Sequence, residues 1–208
     1  QESRGLGDVY KRQEGRRILF VGRNFVRKGG PLVVQAFTIL RKKYLWSAEL
    51  YLAGAKESDI RDALRERQIR VEEVDWQKIH LLGDLGSEKL TDYYNLCDVF
   101  CMPSYFEAYG LVFAEALTYG LPCIGRDKFA MSEFIEDGCT GRLISGEDAE
   151  ELALDLWEVL QDPKYREEVE RRREWYLREY SWDKVAQRIC SVMEKNERDK
   201  DQYRSAGV

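Results

Sequence analysis

Residues 103–122 read PSYFEAYGLVFAEALTYGLP, and the organisation of the whole chain can be worked out from there. Two glutamates, Glu107 and Glu115, stand with seven residues between them, and Gly110 lies between them ahead of an apolar run. Leu111, Val112, Ala114, Ala116 and Leu117 have the spacing of a helix packed close to its neighbours. DVFCMPS, from Asp98, precedes the stretch and reads as a buried strand. Gly120 and Pro122 stop the helix and lead into a further short strand. The unit is strand, loop, helix, strand. In open parallel sheets, ligands sit at the carboxyl ends of strands, beside helix N-termini. Glu107 falls in that loop, and Glu115 one to two turns into the helix.

A helix opened by glycine exposes amide N–H groups and a partial positive charge, which suit a phosphate. Gly110 also lets a ligand approach the backbone. A carboxylate such as Glu115 can accept both hydroxyls of a ribose, and Glu107 can hydrogen-bond a sugar. Spacing alone also fits solvent-facing glutamates placed near a helix start by its dipole.

Glu107-Ala-Tyr-Gly-Leu-x-x-x-Glu115, with Ala116 and the Gly120-Leu-Pro-Cys turn, resembles the E-x7-E signature of retaining glycosyltransferases of family four. The resemblance covers nearly all of residues 15 to 195. It implies half of a GT-B fold, the C-terminal Rossmann-like domain that binds the nucleotide sugar. The elements along the chain agree with an α/β class: a doubly wound, mostly parallel six-stranded sheet with helices on both faces. Arg17-Ile-Leu-Phe-Val-Gly22 is a first buried strand and Leu32 to Tyr44 an amphipathic helix. Ala48–Gly54 and Lys78–Gly83 read as further strands. Ser87 is the expected cap of the helix that follows, Pro122–Gly125 is a fifth strand, and Arg142-Leu-Ile a sixth. Two helices follow, from Asp148 and from Tyr165, separated by Asp162-Pro163. The alternation argues for a doubly wound sheet.

Arg23 and Lys28 fall at the carboxyl end of the first strand, where two cations could clamp a diphosphate or form an ordinary basic surface loop. The resemblance favours the clamp, because Gly22-Arg23 and Lys28-Gly29 match the family's donor-diphosphate positions. It implies catalytic roles for Glu107, Arg23 and Lys28. It also implies donor contacts from Gly22, Gly83, Leu85, Tyr109, Gly110, Leu111 and Glu115, and no metal ligand. Many relatives carry a small Gly-Gly loop where this chain has Phe129-Ala130-Met131, a departure at the donor-side loop. The implied reaction is transfer of a hexose from a UDP- or GDP-sugar to an acceptor with retention. The leaving phosphate would take the acceptor proton. The nucleotide sugar is a substrate, and no cofactor or metal is expected. A sugar, lipid or small-molecule acceptor would be bound by an N-terminal half missing from this sequence, without which the fragment is expected to be inactive. That half could also make peripheral contact with a membrane, which leaves a cytoplasmic protein, at a membrane face or free of it.

Ser3–Gln13, SRGLGDVYKRQ, resembles a translated sequencing-adaptor artefact, so residues 1–13 are expected to be a non-native or disordered leader. Residues 14–195 are expected to form the donor-binding domain and 196–208 a charged tail. Trp182 is expected at the junction with the other half, and Asp199-Lys-Asp201 is read as a chance Asp-x-Asp.

Composition fits. The chain has 208 residues, 44% hydrophobic and 34% charged, enough for one core. No apolar run is of membrane-spanning length. A net charge of −5 without a basic run gives no support to a nucleic-acid partner. The five cysteines are scattered and His80 is the sole histidine, which argues against zinc and disulfides and for a reducing compartment. His80, within a strand, reads as structural. Other readings are a sugar-nucleotide epimerase, a glycoside hydrolase using the glutamate pair, and a non-catalytic nucleotide-sugar-binding module. A dehydrogenase is disfavoured because the first strand lacks G-x-G-x-x-G.

Overall fold

The structure is a computed structural model that describes residues 16–193 except 182, 185 and 189. The leader, the tail with its Asp199-Lys-Asp201, and Trp182 lie outside the described residues.

Six strands form one sheet, all parallel: β1 Arg17–Val21, β2 Glu49–Ala53, β3 Ile79–Gly83, β4 Val99–Cys101, β5 Cys123–Arg126 and β6 Gly141–Ile144. Their spatial order is β3-β2-β1-β4-β5-β6. Between them run the helices α1 Gly30–Lys43, α2 Glu57–Glu66, α3 Ser87–Leu96, α4 Leu111–Thr118 and the single turn α5 Met131–Phe134. Two further helices follow, α6 Ala149–Gln161 and α7 Pro163–Glu179. Helix α1 packs on α6 and helix α4 on α7, so the two layers sandwich the sheet. The expected class is the observed one.

Ile18, Leu19 and Phe20 are fully buried, as a strand covered on both faces requires. The apolar stripe of α1 (Leu32, Val33, Ala36, Phe37, Leu40) and that of α6 (Leu152, Leu156, Val159, Leu160) face the same core. Burying a side chain such as Phe37 or Phe100 stabilises the fold by about 1.5–3 kcal/mol. The helix starts follow local chemistry. Asp148 caps α6 by accepting from the Glu150 N–H, and Asp162 caps α7 by accepting from the Lys164 N–H, with Pro163 in the first turn. The cap of α3 is Gly86, one residue ahead of the expected Ser87, which is already helical. At Ser181 the hydroxyl accepts from the Lys184 N–H. His80 stacks on Tyr51 with ring centroids 4.3 Å apart and lies 3.2 Å from Glu49, a packed position on β3.

The strand order has one consequence for function. The chain runs outward from β1 through β2 to β3, then returns to lay β4 on the other side of β1. The helices after β1 and β4 therefore cover opposite faces of the sheet, and the carboxyl ends of these two strands form the crevice where such sheets bind ligands.

Candidate functional site

The floor of the crevice depends on glycine. A Cβ on Gly22 would stand 2.8 Å from Cγ of Lys28, so the lysine stem lies where a side chain at 22 would be. The Asn24 side chain accepts from the Arg27 N–H at 3.0 Å, and the Asn24 carbonyl accepts from the Lys28 N–H at 3.0 Å, turning the loop back on itself. Gly29 holds φ +80°, and a Cβ there would sit 2.4 Å from the Pro103 carbonyl oxygen. Only glycine lets the start of α1 press against the loop after β4.

The two loops are joined at several points. The Tyr105 N–H donates to the Arg27 carbonyl at 2.9 Å, and the Arg27 guanidinium donates to the Phe106 carbonyl at 2.5 Å. The Ser104 hydroxyl, fully buried, lies 2.9 Å from the Phe106 carbonyl and 3.3 Å from that of Arg27. Against this frame the Lys28 ammonium donates to Glu107 Oε2. Their side chains are only 14% and 12% exposed, so the pair has left most of its water behind.

Gly110 opens α4 at φ +81° with no side chain capping it. A Cβ at 110 would meet Glu107 Cγ and Phe113 Cδ2, each at 3.1 Å, so Glu107 is folded close to the helix start. The first N–H groups of α4 have no partner within the helix and carry the positive end of its dipole. At its other end, Gly120 (φ +79°) donates to Leu117 and Leu121 donates to Ala116, the paired bonds of a Schellman stop.

Glu115 is exposed and is fixed from behind. The Tyr94 hydroxyl donates to its Oε2 at 3.0 Å, and the Tyr94 ring stacks on Tyr119 with centroids 5.3 Å apart. Burial, and then the Glu115 carboxylate, push the Tyr94 phenol well above its ordinary pKa, so it stays a donor.

Arg23 sits on the far side of Gly22. It forms a two-pronged pair with Asp84, Nε to Oδ1 at 3.0 Å and Nη2 to Oδ2 at 3.1 Å, with both side chains well exposed. Gly22, Arg23, Gly54, Asp84 and Leu85 border a hollow of about 120 Å³ at the ends of β1, β2 and β3. The Gly83 carbonyl accepts from the Gly54 N–H at 2.6 Å beside it. The structure thus brings Gly22, Lys28, Glu107 and Gly110 into one group, and Gly22, Arg23 and Leu85 into a second that shares Gly22. Tyr109 and Leu111 flank Gly110 and are each about half exposed. The two cations hold different carboxylates.

Sequence reasoning missed Asp84, Tyr94 and Arg126. Arg126 ends β5 almost fully buried. It donates to the Gly146 carbonyl at 2.6 Å and lies 4.6 Å over the Tyr105 ring, and its Nε has no hydrogen-bond partner among the described residues. Tyr105 donates to Glu147 at 2.8 Å and accepts from Arg67 at 2.9 Å; burial, then Glu147, raise its pKa. Phe129 was noted only as a departure. It has φ +57°, left-handed backbone that costs a non-glycine residue about 1 kcal/mol or more. Its ring meets that of Phe106 edge-on, with centroids 5.1 Å apart.

Comparison with known proteins gives a consistent picture. The family model described as glycosyl transferases group 1 matches residues 8–175. The phosphatidyl-myo-inositol mannosyltransferase of Mycolicibacterium smegmatis is 29% identical over 191 residues, 91% of this chain and 47% of its own. The D-inositol 3-phosphate glycosyltransferase of Paenarthrobacter aurescens is 28% identical over 195 residues, 89% of this chain and 45% of its own. The chain spans less than half the length of these relatives. Among solved structures, Thermosynechococcus elongatus sucrose-phosphate synthase superposes with a TM-score of 0.73 at 26% identity, covering 88% of this chain and 46% of that one. Anabaena Alr3699/HepE, solved with UDP and glucose, gives 0.75 at 18% identity, covering 91% and 52%, a likeness of fold.

Proposed function

The chain belongs to the glycosyl transferases group 1 family, and we propose that it is the donor-binding half of a retaining glycosyltransferase that moves a hexose from a UDP- or GDP-sugar to an acceptor. The observation that carries this reading is the largely buried Lys28–Glu107 pair, placed at the carboxyl ends of β1 and β4 and against the glycine-opened start of α4. A diphosphate needs positive charge that is already oriented. Lys28, Arg23 and the N–H groups of the first turn of α4 supply it without a metal. Glu107 accepts hydroxyls of the sugar. Glu115, held by Tyr94, accepts those of the ribose. Gly83 and Leu85 border the base.

As the bond between the sugar and the diphosphate breaks, charge grows on the leaving oxygen. Donors fixed beforehand favour that state over the ground state. The leaving phosphate then takes the acceptor proton on the same face, so no side chain of this chain acts as base. The acceptor, whether sugar, lipid or small molecule, is bound by a second half outside this sequence. Alone, this chain binds donor without turning it over. The whole protein works in the cytoplasm or at the cytoplasmic face of a membrane.

Calorimetry and melting with UDP and with GDP test the reading. At a hundred times its dissociation constant a ligand adds about 2.7 kcal/mol of stability. Arg23→Ala and Lys28→Ala should each weaken diphosphate binding, and unchanged affinity in both rejects the assignment.

A further inference from the structure

Two exposed aromatic rings meet beside the loop that carries Glu107. Phe106 directly precedes Glu107 and is 52% exposed; Phe129, in the turn after β5, is 51% exposed. Their rings meet edge to face, 5.1 Å between centroids with planes 70° apart, bridging the loops after β4 and β5. Phe129 keeps this position with a backbone at φ +57°, where glycine would fit without strain. A residue held in costly backbone with half its side chain in water gains little for the core, and such outliers mark functional sites. The carbonyl of Phe106 is fixed by the Arg27 guanidinium, so the ring that meets Phe129 is set relative to Glu107.

We propose that Phe106 and Phe129 form an aromatic wall that reads the transferred sugar, stacking on the apolar C–H face of its pyranose ring while Glu107 takes its hydroxyls. The inference rests on the donor-binding reading and names the part of the donor these residues select. A pyranose has a face of C–H groups and an edge of hydroxyls. A carboxylate beside an exposed ring matches both, and a nucleoside diphosphate without sugar uses neither. The wall therefore acts on the sugar increment, the ratio of affinities for nucleotide sugar and free nucleotide.

The test measures that ratio by calorimetry for UDP-glucose against UDP, and for GDP-mannose against GDP, in this chain and in Phe129→Gly, Phe129→Tyr and Phe106→Leu. Phe129→Gly suits the left-handed backbone, so its melting temperature should hold or rise. In it and in Phe106→Leu the ratio should shift roughly three- to tenfold against the nucleotide sugar, the range of an aromatic contact. Phe129→Tyr, which restores a ring, should return it to the parent value. Free nucleotide bound as before with an unchanged ratio in both ring-removing variants overturns the wall alone. Failure of the parent chain to bind either nucleotide overturns the donor reading, and the wall with it.

Discussion

Lys28→Met keeps an unbranched stem against Gly22 and deletes the ammonium that Glu107 holds. The expected cost follows from exposure. Surface pairs contribute about 0–1 kcal/mol. Removing one partner of a buried pair costs about 3–5 kcal/mol, because the remaining charge is left without compensation. At 14% and 12% exposure this pair lies closer to the second limit, and the remaining opening lets some water reach Glu107. Lys28→Met should therefore lose about 2–3 kcal/mol, and roughly 4–12 °C in melting temperature for a domain of this size. Glu107→Gln should cost less, about 1 kcal/mol, because the lysine can swing its charge out to water. The double variant should then be more stable than Lys28→Met by at least about 1 kcal/mol, since neither residue is left as an isolated charge. Urea denaturation of the four proteins closes the cycle. If the two single losses simply add, the pair is not the coupled unit described above, and the reasoning from its burial is wrong.

Gly110→Ala should lose about 1–2 kcal/mol, from its φ of +81° and from a Cβ 3.1 Å from Glu107 and Phe113; a variant as stable as the parent refutes the left-handed start of α4. Tyr94→Phe keeps the stack on Tyr119 and removes the donor to Glu115. It should cost about 0.5–1.5 kcal/mol and weaken a ribonucleotide severalfold while sparing its 2′,3′-dideoxy analogue; equal effects on both remove Glu115 from the ribose. Asp98 accepts from the Arg17 N–H at 2.9 Å, and its burial outweighs that bond and the nearby arginines, so its carboxyl titrates above the usual range. A carboxyl raised in the fold stabilises most below its unfolded value of about 4, and that contribution is lost as the pH rises through the raised value. Stability of the parent relative to Asp98→Asn should therefore fall from about pH 4 upward, and a difference that grows with pH contradicts the assignment.

Strands and helices were legible because each carries its own local signal. Ile18–Phe20 is apolar without a break, α1 has its stripe, and Gly110 and Gly120 bracket a helix of eight residues. The pairings were not legible in the same way. Lys28 and Glu107 are 79 positions apart and Arg23 and Asp84 are 61, and only the return of the chain from β3 to β4 decides which loops face each other. Tyr94 carries no mark of its role, since a tyrosine on an amphipathic helix looks like core until its hydroxyl is seen on Glu115. Arg126 carries no sequence signal, because a buried arginine at a strand end declares itself only through the carbonyl of Gly146 and the ring of Tyr105. The left-handed backbone of Phe129 breaks the usual preference for glycine, so sequence gave its departure from the family loop without its conformation.

On the proposed donor reading, the Lys28–Glu107 bridge would also act as a coincidence filter. An anion that captured the ammonium alone would strand a carboxylate in a niche with little water to receive it. A neutral sugar that approached the carboxylate alone would have to outbid a cation already in place. On the proposed reading, a nucleotide sugar would offer phosphate oxygens to the ammonium and sugar hydroxyls to the carboxylate, replacing both halves of the bridge at once and stranding neither charge.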